Sequence, residues 1–300
     1  MIPERILVTG ATGFVGRALV RGLAQHGFDF RLAVRASGAA SSHPAIEVGN
    51  IDEATNWATA LEGVGTVLHL AGATPGAHSE TEFAAVNSHG TRRLVDQAKL
   101  SGARRFVFLS SSHAALDKAG SGYAISKRAA EDHVATFSGD GRQAISLRVP
   151  LIYGAEAKGK WRRLQQIAAM PVPLPFGRLQ ARRSLMGREN LVDALVHLAA
   201  IPDWRREGTF EIADEQTIDL GGIIRHLREG MGRAALLFNC PPGLVETAAR
   251  LTLGQAGADR LLTGTLHDPR PFADAFGWSP SEALPDAVRR SGREFIASND

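Results

Sequence analysis

The chain has 300 residues, of which 44% are hydrophobic, and its Lys and Arg residues outnumber its Asp and Glu residues by 34 − 31 = 3. This length and composition fit one large α/β domain, or one with a smaller lobe, and exclude a disordered chain. The arginines are scattered rather than packed into one block, so we expect no nucleic-acid partner and assign the basic excess to an anionic small-molecule substrate.

The cysteine count and the first residues of the chain indicate which covalent links, metal sites and cellular location to expect. Cys240 is the only cysteine, which excludes an internal disulfide and a metal site built from cysteines, and we expect no metal. The chain enters a strand almost directly, with no long apolar signal segment and no run that approaches a membrane span. We therefore expect a soluble, cytoplasmic protein that has no membrane partner.

The predicted elements begin with residues 6–16, Ile-Leu-Val-Thr-Gly-Ala-Thr-Gly-Phe-Val-Gly, which indicate a buried strand, a tight turn and the start of a helix. A helix N-terminus carries unpaired N–H groups and a partial positive charge, so it can hold a pyrophosphate. Gly10 would permit the sharp turn, Gly13 the close approach of the phosphates, and Gly16 the close packing of helix on strand. We interpret the stretch as a dinucleotide site; a purely structural strand-to-helix turn is the alternative.

Apolar strands and amphipathic helices then alternate along the first half of the chain. This alternation is typical of a parallel sheet with helices on both faces. We therefore predict an α/β fold, a Rossmann-type doubly wound parallel sheet. The further strands are predicted over 30–35, 46–52, 66–72, 105–111 and 144–149, and the helices over 53–61, 80–101 and 124–137.

The second half has a different composition. Residues 155–185 are rich in Arg, Lys and Pro, which predicts loops and short helix. A helix is predicted over 191–200 and a strand over 209–213, and the rest is mostly helix and loop. We therefore expect an NAD(P)-binding Rossmann domain over 1–154 and a smaller, mostly C-terminal substrate-binding lobe over 155–300, partly interleaved with the sheet.

A second candidate site lies beyond the fifth predicted strand, in Tyr123-Ala124-Ile125-Ser126-Lys127. Positions i and i+4 of a helix share a face, so the phenol and the ammonium would lie side by side. A nearby ammonium lowers a tyrosine pKa toward the working pH, which a general acid or base requires. A serine hydroxyl from the end of that strand could then hold the substrate oxygen. Taken alone, such a Tyr–Lys pair is usually a surface coincidence.

These features together resemble the extended short-chain dehydrogenases/reductases, most closely the NAD-dependent epimerase/dehydratase group that acts on nucleotide sugars. The resemblance rests on Thr9–Gly16, the Tyr123–Lys127 pair and Leu109-Ser110-Ser111, and it extends from about residue 4 to residue 295. Further matches are His69–Gly72, Asn87 with Gly90-Thr91, Arg148 with Pro150 and Tyr153-Gly154, Leu174–Gly177, Arg183–Leu185, Asn190–Asp193 and Phe276–Pro280.

The resemblance implies roles for the matched positions. Tyr123 would be the acid or base, Lys127 would lower its pKa and bind the nicotinamide ribose, and Ser111 would hold the substrate oxygen. Arg183 would bind a substrate pyrophosphate, for which a guanidinium fork is suited; a surface salt bridge is the alternative. Thr74 and Ser112 are the other expected substrate contacts, and Ser112 is the alternative to Ser111. The expected cofactor contacts are Gly10, Thr12, Gly13, Phe14, Val15, Arg35, Asn50, Ile51, Leu70, Ala71, Gly72, Tyr123, Lys127 and Pro150.

The residue after the second strand bears on the choice of cofactor. A carboxylate at this point would bind the ribose 2′-OH of NAD and repel the 2′-phosphate of NADP. Arg35 takes the position here, and no Asp or Glu lies close to it in the sequence. NADP(H) is therefore favoured. NAD is the alternative, because an arginine there can also stack on adenine.

The chain departs from the family pattern between Ser111 and Tyr123. These residues are 123 − 111 = 12 positions apart, whereas nucleotide-sugar epimerases have a much longer segment there. Ser112-His113 also stands where sugar dehydratases carry an Asp-Glu pair. The short segment puts a sugar-nucleotide substrate in doubt, and the missing carboxylates weigh against a dehydratase.

The leading hypothesis is an NAD(P)-dependent oxidoreductase that transfers hydride to or from a carbonyl carbon, on a keto-sugar nucleotide. Three alternatives stay open: a nucleotide-sugar 4-epimerase, a non-catalytic NADP(H)-binding sensor or assembly protein, and a reductase of small non-nucleotide carbonyls. A homodimer is expected by analogy with the family alone.

Overall fold

The computed structural model of the protein describes residues 5–36, 43–76, 78–115, 121–177, 179–241, 243–247, 250–251, 254–255 and 263–298. The chain divides into two compact units. The first comprises Met1–Val149, Leu191–Ile212 and Arg270–Trp278, and the second Pro150–Asn190, Ala213–Pro269 and Ser279–Asp300. Two segments of the second half therefore belong to the first unit. The functions assigned to the predicted domains, 1–154 and 155–300, stay predictions.

Strands and helices are interspersed along the chain. The strands are β1 (Arg5–Thr9), β2 (Phe30–Val34), β3 (Ala45–Glu47), β4 (Val64–His69), β5 (Arg105–Ser111), β6 (Gln143–Val149), β7 (Ile152–Tyr153), β8 (Met186–Gly187) and β9 (Gly208–Glu211). Among the described elements, β2 is followed directly by β3 and β6 by β7. The helices are α1 (Phe14–Gln25), α2 (Ala58–Leu61), α3 (Glu80–Glu82), α4 (Thr91–Leu100), α5 (Gly122–Ala135), α6 (Lys160–Ala169), α7 (Arg188–Ala200), α8 (Leu220–Gly230), α9 (Arg270–Phe276) and α10 (Leu284–Ala297).

A seven-stranded sheet in the order β3-β2-β1-β4-β5-β6-β9 forms the centre of the first unit. Every neighbouring pair in it is parallel. The chain order reverses between β1 and β4, and doubly wound sheets bind their ligands beyond the carboxyl ends of the strands at such a point. The predicted α/β Rossmann-type fold is confirmed. In the second unit, β7 pairs in parallel with β8.

Two predicted helices differ from those observed. The helix predicted over 53–61 begins only at Ala58. Asp52 and Thr55 hold the preceding turn, because the Thr55 hydroxyl accepts from the Asp52 N–H at 2.8 Å while the Asp52 carboxylate accepts from the N–H of Ala54 at 2.8 Å. The helix predicted over 80–101 is present, but its middle, Phe83–Gly90, is π-helical. Such segments are frequently found at functional sites.

Apolar side chains between the sheet and its helices form the core of the first unit. Fully burying a Val, Leu or Phe side chain contributes about 1.5–3 kcal/mol relative to exposing it, so this cluster is the main source of stability here. Members of the cluster are Leu7, Trp57, Leu61, Val67, Leu94, Val95, Phe106, Phe108, Val134 and Phe137.

Within the described residues, none of the helices has the length and apolar character needed to cross a membrane.

The turn between β1 and α1 needs glycine at two positions for different reasons. Gly10 has φ +70°, and a Cβ on it would lie 2.6 Å from the Ala71 nitrogen, so the turn is in contact with the chain that leaves β4. Gly16 has ordinary helical dihedrals, but a Cβ there would lie 2.1 Å from the Gly10 carbonyl oxygen. At Gly16 the helix therefore packs closely on the turn that follows β1, next to the strand on which the contact was expected.

His69, at the end of β4, is a buried hydrogen-bonding residue. Its Nδ1 lies 2.7 Å from Thr9 Oγ1 on β1, and its Nε2 lies 3.0 Å from Thr91 Oγ1 at the start of α4. The Thr9 hydroxyl also accepts from the N–H of Ala71 at 3.1 Å. Burial lowers the pKa of His69 to about 3, and the charge of Lys127 acts in the same direction. The ring is therefore neutral and links two strands to a helix.

Substituting Gly16 with alanine should destabilise the protein, although alanine is the better helix former by about 1 kcal/mol. The new methyl meets backbone atoms that cannot rotate away, and overpacking of this kind costs about 1–3 kcal/mol. Urea denaturation gives the free energy of unfolding. Gly243→Ala is the matched control, because nothing lies within 4 Å of a Cβ at that position. Equal unfolding midpoints for the two variants would contradict the packing at Gly16.

Acid should destabilise the protein partly through His69. The pKa of His69 is depressed in the folded state, so its contribution is complete above the unfolded value of 6.5 and is lost as the pH falls toward 3. The expected slope is about 1.4 kcal/mol per pH unit below 6.5. Urea denaturation at several pH values should show a shallower slope for His69→Gln, which can hydrogen-bond but does not titrate. The same slope in both proteins would rule out this contribution.

Candidate active site

The N-terminus of α1 has the features of an anion site. Gly13 is its N-cap, no side chain caps the helix, and the first turn, all of which is described, carries no acidic residue. Thr12 and Gly13 are exposed, whereas Val15 is buried and offers only its backbone to a ligand. The first N–H groups of a helix lack partners within it. The turn therefore presents backbone N–H groups without a competing carboxylate, and the predicted pyrophosphate site there stays a prediction.

Tyr123 begins the polar face of α5, opposite the carboxyl end of β5. Burial raises the pKa of its phenol, and a hydrogen bond with Ser111 acts in the opposite direction. The Phe83 and His113 rings meet the Tyr123 ring edge-on, with centroids at 5.6 and 5.9 Å. Tyr123 and Ser111, predicted from separate motifs, thus lie together.

Lys127 is buried one helical turn beyond Tyr123. Its Nζ donates to the Leu109 carbonyl at 2.9 Å and lies 4.5 Å from the centre of the Phe108 ring. Burial lowers the pKa of Lys127 to about 8, while the charge of Glu131 raises it. The predicted lowering of the Tyr123 pKa by Lys127 is not found in this structure, because burial of the phenol dominates and the ammonium is directed to the Leu109 carbonyl.

Gly72 and Asn87 close the other side of the lysine. A Cβ on Gly72 would lie 3.3 Å from Lys127 Nζ and 2.9 Å from Asn87 Oδ1. Asn87, in the π-helical segment, accepts from the Ala73 N–H at 2.8 Å and donates to the Ser126 hydroxyl at 3.1 Å. The segment after β4 is therefore linked to α5 through Asn87, and a methyl group at Gly72 would crowd both the Asn87 amide and the ammonium.

Ser110 and Ser111, which are neighbours on β5, have different partners. The Ser110 hydroxyl donates to Glu131 Oε1 at 2.5 Å, and the Arg148 guanidinium binds both oxygens of the same carboxylate. The Ser111 Oγ lies 3.2 Å from His113 Nδ1 and accepts from the His113 N–H at 3.3 Å. Ser110 is thus fully engaged in the interior, and Ser111 faces the Tyr123 side.

The predicted adenosine contacts lie at the ends of β2 and β3. Arg35 follows β2 directly and is exposed. Asn50 is exposed, and its carbonyl accepts from the Thr55 hydroxyl at 2.9 Å. Ile51 packs on the helix that follows β4, since a Cβ on Gly90 would lie 2.5 Å from its Cγ2.

The remaining predicted residues lie in several places. Thr74 is exposed in the loop after β4, and Ser112 is buried at the start of a 3₁₀ turn, Ser112–Ala115. Leu70, Ala71 and Gly72 follow β4, and Pro150 follows β6 as the first residue of the second unit. Residues 116–120, part of the short segment before Tyr123, lie outside the described residues.

Arg183 belongs to the second unit. Its backbone exchanges hydrogen bonds with Ile218, at 2.9 and 3.0 Å. Burial lowers the pKa of its guanidinium, and the charge of Asp219 acts in the opposite direction. Arg183 is partly buried, and both its predicted substrate contact and the salt bridge that is the alternative stay predictions.

Sequence reasoning did not assign roles to Asn87, His113 or Glu131. Glu131 could have been found by extending the four-residue spacing from Tyr123 and Lys127 by one step. Asn87 was noted as a family match, but its contacts depend on the π-helical winding, which periodicity does not reveal. His113 depends on the turn after β5, which has no clear pattern.

The chain matches one protein-family model and is similar in sequence to several known enzymes. The family model for the NAD dependent epimerase/dehydratase family matches residues 6–213. The chain is 27% identical to a UDP-glucose 4-epimerase of Vibrio cholerae, over 100% of this chain and 98% of that protein. It is 34% identical to a ceramide reductase of Caulobacter vibrioides, over 81% of this chain and 76% of that protein.

Solved structures agree on the fold. A UDP-glucuronic acid 4-epimerase from Bacillus cereus, in complex with NAD, matches with a TM-score of 0.75 and 17% identity, over 98% of this chain and 99% of that chain. The family model covers well over half of the chain and the matching fold is the predicted one, so the predicted resemblance is confirmed. The protein is an enzyme that belongs to the NAD-dependent epimerase/dehydratase family of the short-chain dehydrogenases/reductases.

Proposed function

We propose that the protein transfers hydride between a nicotinamide dinucleotide and a carbonyl carbon, with Ser111, Tyr123 and Lys127 as its catalytic residues. The observation that carries the proposal is the arrangement at the end of β5. The phenol of Tyr123 lies close enough to Ser111 for that hydroxyl to act on its pKa, and Lys127 is buried one helical turn away. Ser111 comes from one motif and the Tyr123–Lys127 pair from another, and all three groups share one small region of the first unit.

The chemistry of these groups suits reduction of a ketone. The Tyr123 hydroxyl would donate its proton to the carbonyl oxygen as the carbon accepts hydride, and Ser111 would donate a hydrogen bond to the same oxygen. The ammonium of Lys127, one helical turn away, would hold the nicotinamide ribose, and solvent would reprotonate the phenolate that remains on Tyr123. In the oxidative direction the phenolate would accept the proton from the alcohol.

The residues present fit a dinucleotide. The N-terminus of α1 would bind the pyrophosphate, since its cap is a glycine and its first turn carries no carboxylate. Lys127 would bind the nicotinamide ribose beside Gly72, where a Cβ would lie 3.3 Å from Nζ. When bound, the nicotinamide supplies or accepts the hydride. Ile51 would line the adenine side.

NADP(H) is the cofactor we propose, on the basis of Arg35. The side chain is exposed at the carboxyl end of β2, where a 2′-phosphate would lie in this fold. Residues 35–44 contain no Asp or Glu. Glu47, which pairs with Val34 across β2 and β3, is the acidic residue that could instead favour NAD.

A keto-sugar nucleotide is the substrate that we propose first. The full-length match to a UDP-glucose 4-epimerase and the partly buried Arg183 support a diphosphate-linked substrate. A reductase uses up NADPH, whereas an epimerase returns the hydride and keeps its cofactor. The two are therefore separated by net NADPH consumption during turnover of a 4-keto sugar nucleotide.

A reductase of a non-nucleotide carbonyl is the second candidate. The segment between Ser111 and Tyr123 is short, which leaves less protein to enclose a sugar nucleotide. The 34% identity to a ceramide reductase supports the same alternative.

Native mass spectrometry of freshly purified protein tests these proposals together. We expect NADP(H) to co-purify, with a sugar nucleotide for the first candidate or an apolar carbonyl compound for the second. The same spectrum gives the mass of the assembly, which tests the expected homodimer. Absence of any dinucleotide, together with failure to bind added NADPH or NADH, would overturn the proposed function.

Tyr123→Phe should lower kcat by about 100-fold or more, the usual contribution of a positioned general acid. Cofactor affinity should change little, because the ring remains. Steady-state rates with the substrate found by mass spectrometry measure the effect. Tyr153→Phe is the matched control, since it is the only other tyrosine and donates to Asp214 in the second unit at 2.7 Å. An unchanged kcat for Tyr123→Phe would exclude the catalytic assignment.

Arg35→Ala should weaken NADPH binding by about 10- to 100-fold, the equivalent of about 1.5–3 kcal/mol for a charged hydrogen bond. NADH binding should change by less than about threefold. Titration of both cofactors, followed by nicotinamide fluorescence, measures the two dissociation constants. Glu47→Gln is the comparison variant and should leave the preference for NADPH intact. Tighter binding of NADH than NADPH by the unsubstituted protein would overturn the NADP(H) proposal.

A further inference from the structure

Helix α5 presents three polar side chains to the carboxyl ends of β5 and β6, and the proposed chemistry uses two of them. Tyr123, Lys127 and Glu131 are four residues apart, so they lie on one face. Each meets the neighbouring strand: Tyr123 lies beside Ser111, Lys127 donates to the Leu109 carbonyl, and Glu131 accepts from the Ser110 hydroxyl. Glu131 is only 5% exposed. A buried carboxylate at this place requires an explanation, because taking a charge out of water is costly.

The carboxylate of Glu131 is held by groups on two adjacent strands. Ser110 Oγ donates to Oε1 at 2.5 Å. Arg148 Nε lies 3.0 and 3.2 Å from the two oxygens, and its Nη2 lies 2.7 Å from Oε2. Ser110 and Arg148 are paired in register across β5 and β6. The carboxylate is thus fixed in position and cannot follow changes elsewhere in the site.

Lys127 is buried at a place where water does not solvate its positive charge. It is 5% exposed, and burial brings its pKa down to about 8. The titratable groups around it are Tyr123 and Glu131 on α5, His69 on β4 and, behind the carboxylate, Arg148 on β6. Tyr123 and His69 are neutral near pH 7, because burial raises the pKa of the phenol and lowers that of the imidazole. Glu131 is therefore the member of this set that supplies negative charge.

We propose that Glu131 is a positioning residue of the hydride-transfer site, whose fixed carboxylate keeps Lys127 as an ammonium at neutral pH. The inference rests on the proposed function for its catalytic meaning. Its physical content, the control of the charge on Lys127 by Glu131, can be measured without any substrate.

The measurement is an NMR titration of the lysine side chains. The chain has five lysines, so protein labelled with ¹³C at lysine Cε gives few signals, and Lys127→Arg identifies the signal of Lys127 by its loss. The unsubstituted protein should titrate at this signal near pH 8. In Glu131→Gln the midpoint should fall by about one pH unit, the low end of the shift that a nearby opposite charge causes, because the carboxylate one helical turn away no longer raises the pKa of Lys127.

Three further variants separate charge from structure. Glu131→Asp keeps the charge and should stay within about half a pH unit of the unsubstituted protein. Ser110→Ala removes a hydrogen bond to the same carboxylate without changing its charge, and should not move the midpoint by more than that. If Glu131→Gln does not fold, the double variant Glu131→Gln with Arg148→Gln removes both charges of the ion pair. Its midpoint should still lie below that of the unsubstituted protein, because the attraction is lost.

An unchanged Lys127 midpoint in Glu131→Gln, or in the double variant, would overturn the inference whatever the activity. A second experiment measures the rate of the reductive reaction as a function of pH. The rate should begin to fall at a lower alkaline pH in Glu131→Gln than in the unsubstituted protein. If the NMR midpoints separate as expected but Tyr123→Phe leaves kcat unchanged, the control of Lys127 by Glu131 stands and the proposed function fails. The two failures are therefore distinguishable.

Discussion

The packing of α5 against the carboxyl end of β5 is the interaction on which the site depends. It removes Lys127 from water and places it between the Leu109 carbonyl and the Phe108 ring. It also brings Tyr123 close to Ser111, although Tyr123 lies on a helix and Ser111 at the end of a strand. Burying an ammonium costs free energy that a backbone carbonyl and a ring face offset only in part. The same burial gives the lysine a pKa close to neutral, where small changes in neighbouring charge alter its state.

A second constraint comes from the paired strands β1 and β4, between which the strand order of the sheet reverses. The turn at Gly10 lies against Ala71, and the neutral ring of His69 joins Thr9 to Thr91 directly below it. The backbone that would receive a dinucleotide is therefore supported by a closed set of hydrogen bonds rather than by loop contacts alone. Rigid support of this kind lets backbone N–H groups keep their direction before a ligand arrives.

Much of the fold could be predicted because its signals are local. The strand, turn and helix at residues 6–16 follow from apolar spacing and glycine, and the Tyr123–Lys127 pair follows from helical periodicity. The start of α2 could not be predicted, since the competing turn at Asp52 and Thr55 depends on side-chain hydrogen bonds. The sequence predicted a lowered pKa for Tyr123, whereas burial raises it. Burial depends on tertiary packing, which the four-residue spacing of Tyr123 and Lys127 does not reveal.

The π-helical stretch Phe83–Gly90 has a consequence for how this region can change in evolution. A π turn amounts to one additional residue accommodated within an α-helix. Each residue of an α-helix advances the side-chain direction by about 100°. Deleting one residue would restore regular winding and rotate Asn87 away from Ala73 and Ser126, to which it is bonded on both sides. Point substitutions on the outer face of this helix are compatible with the site, whereas a change of length within it is not.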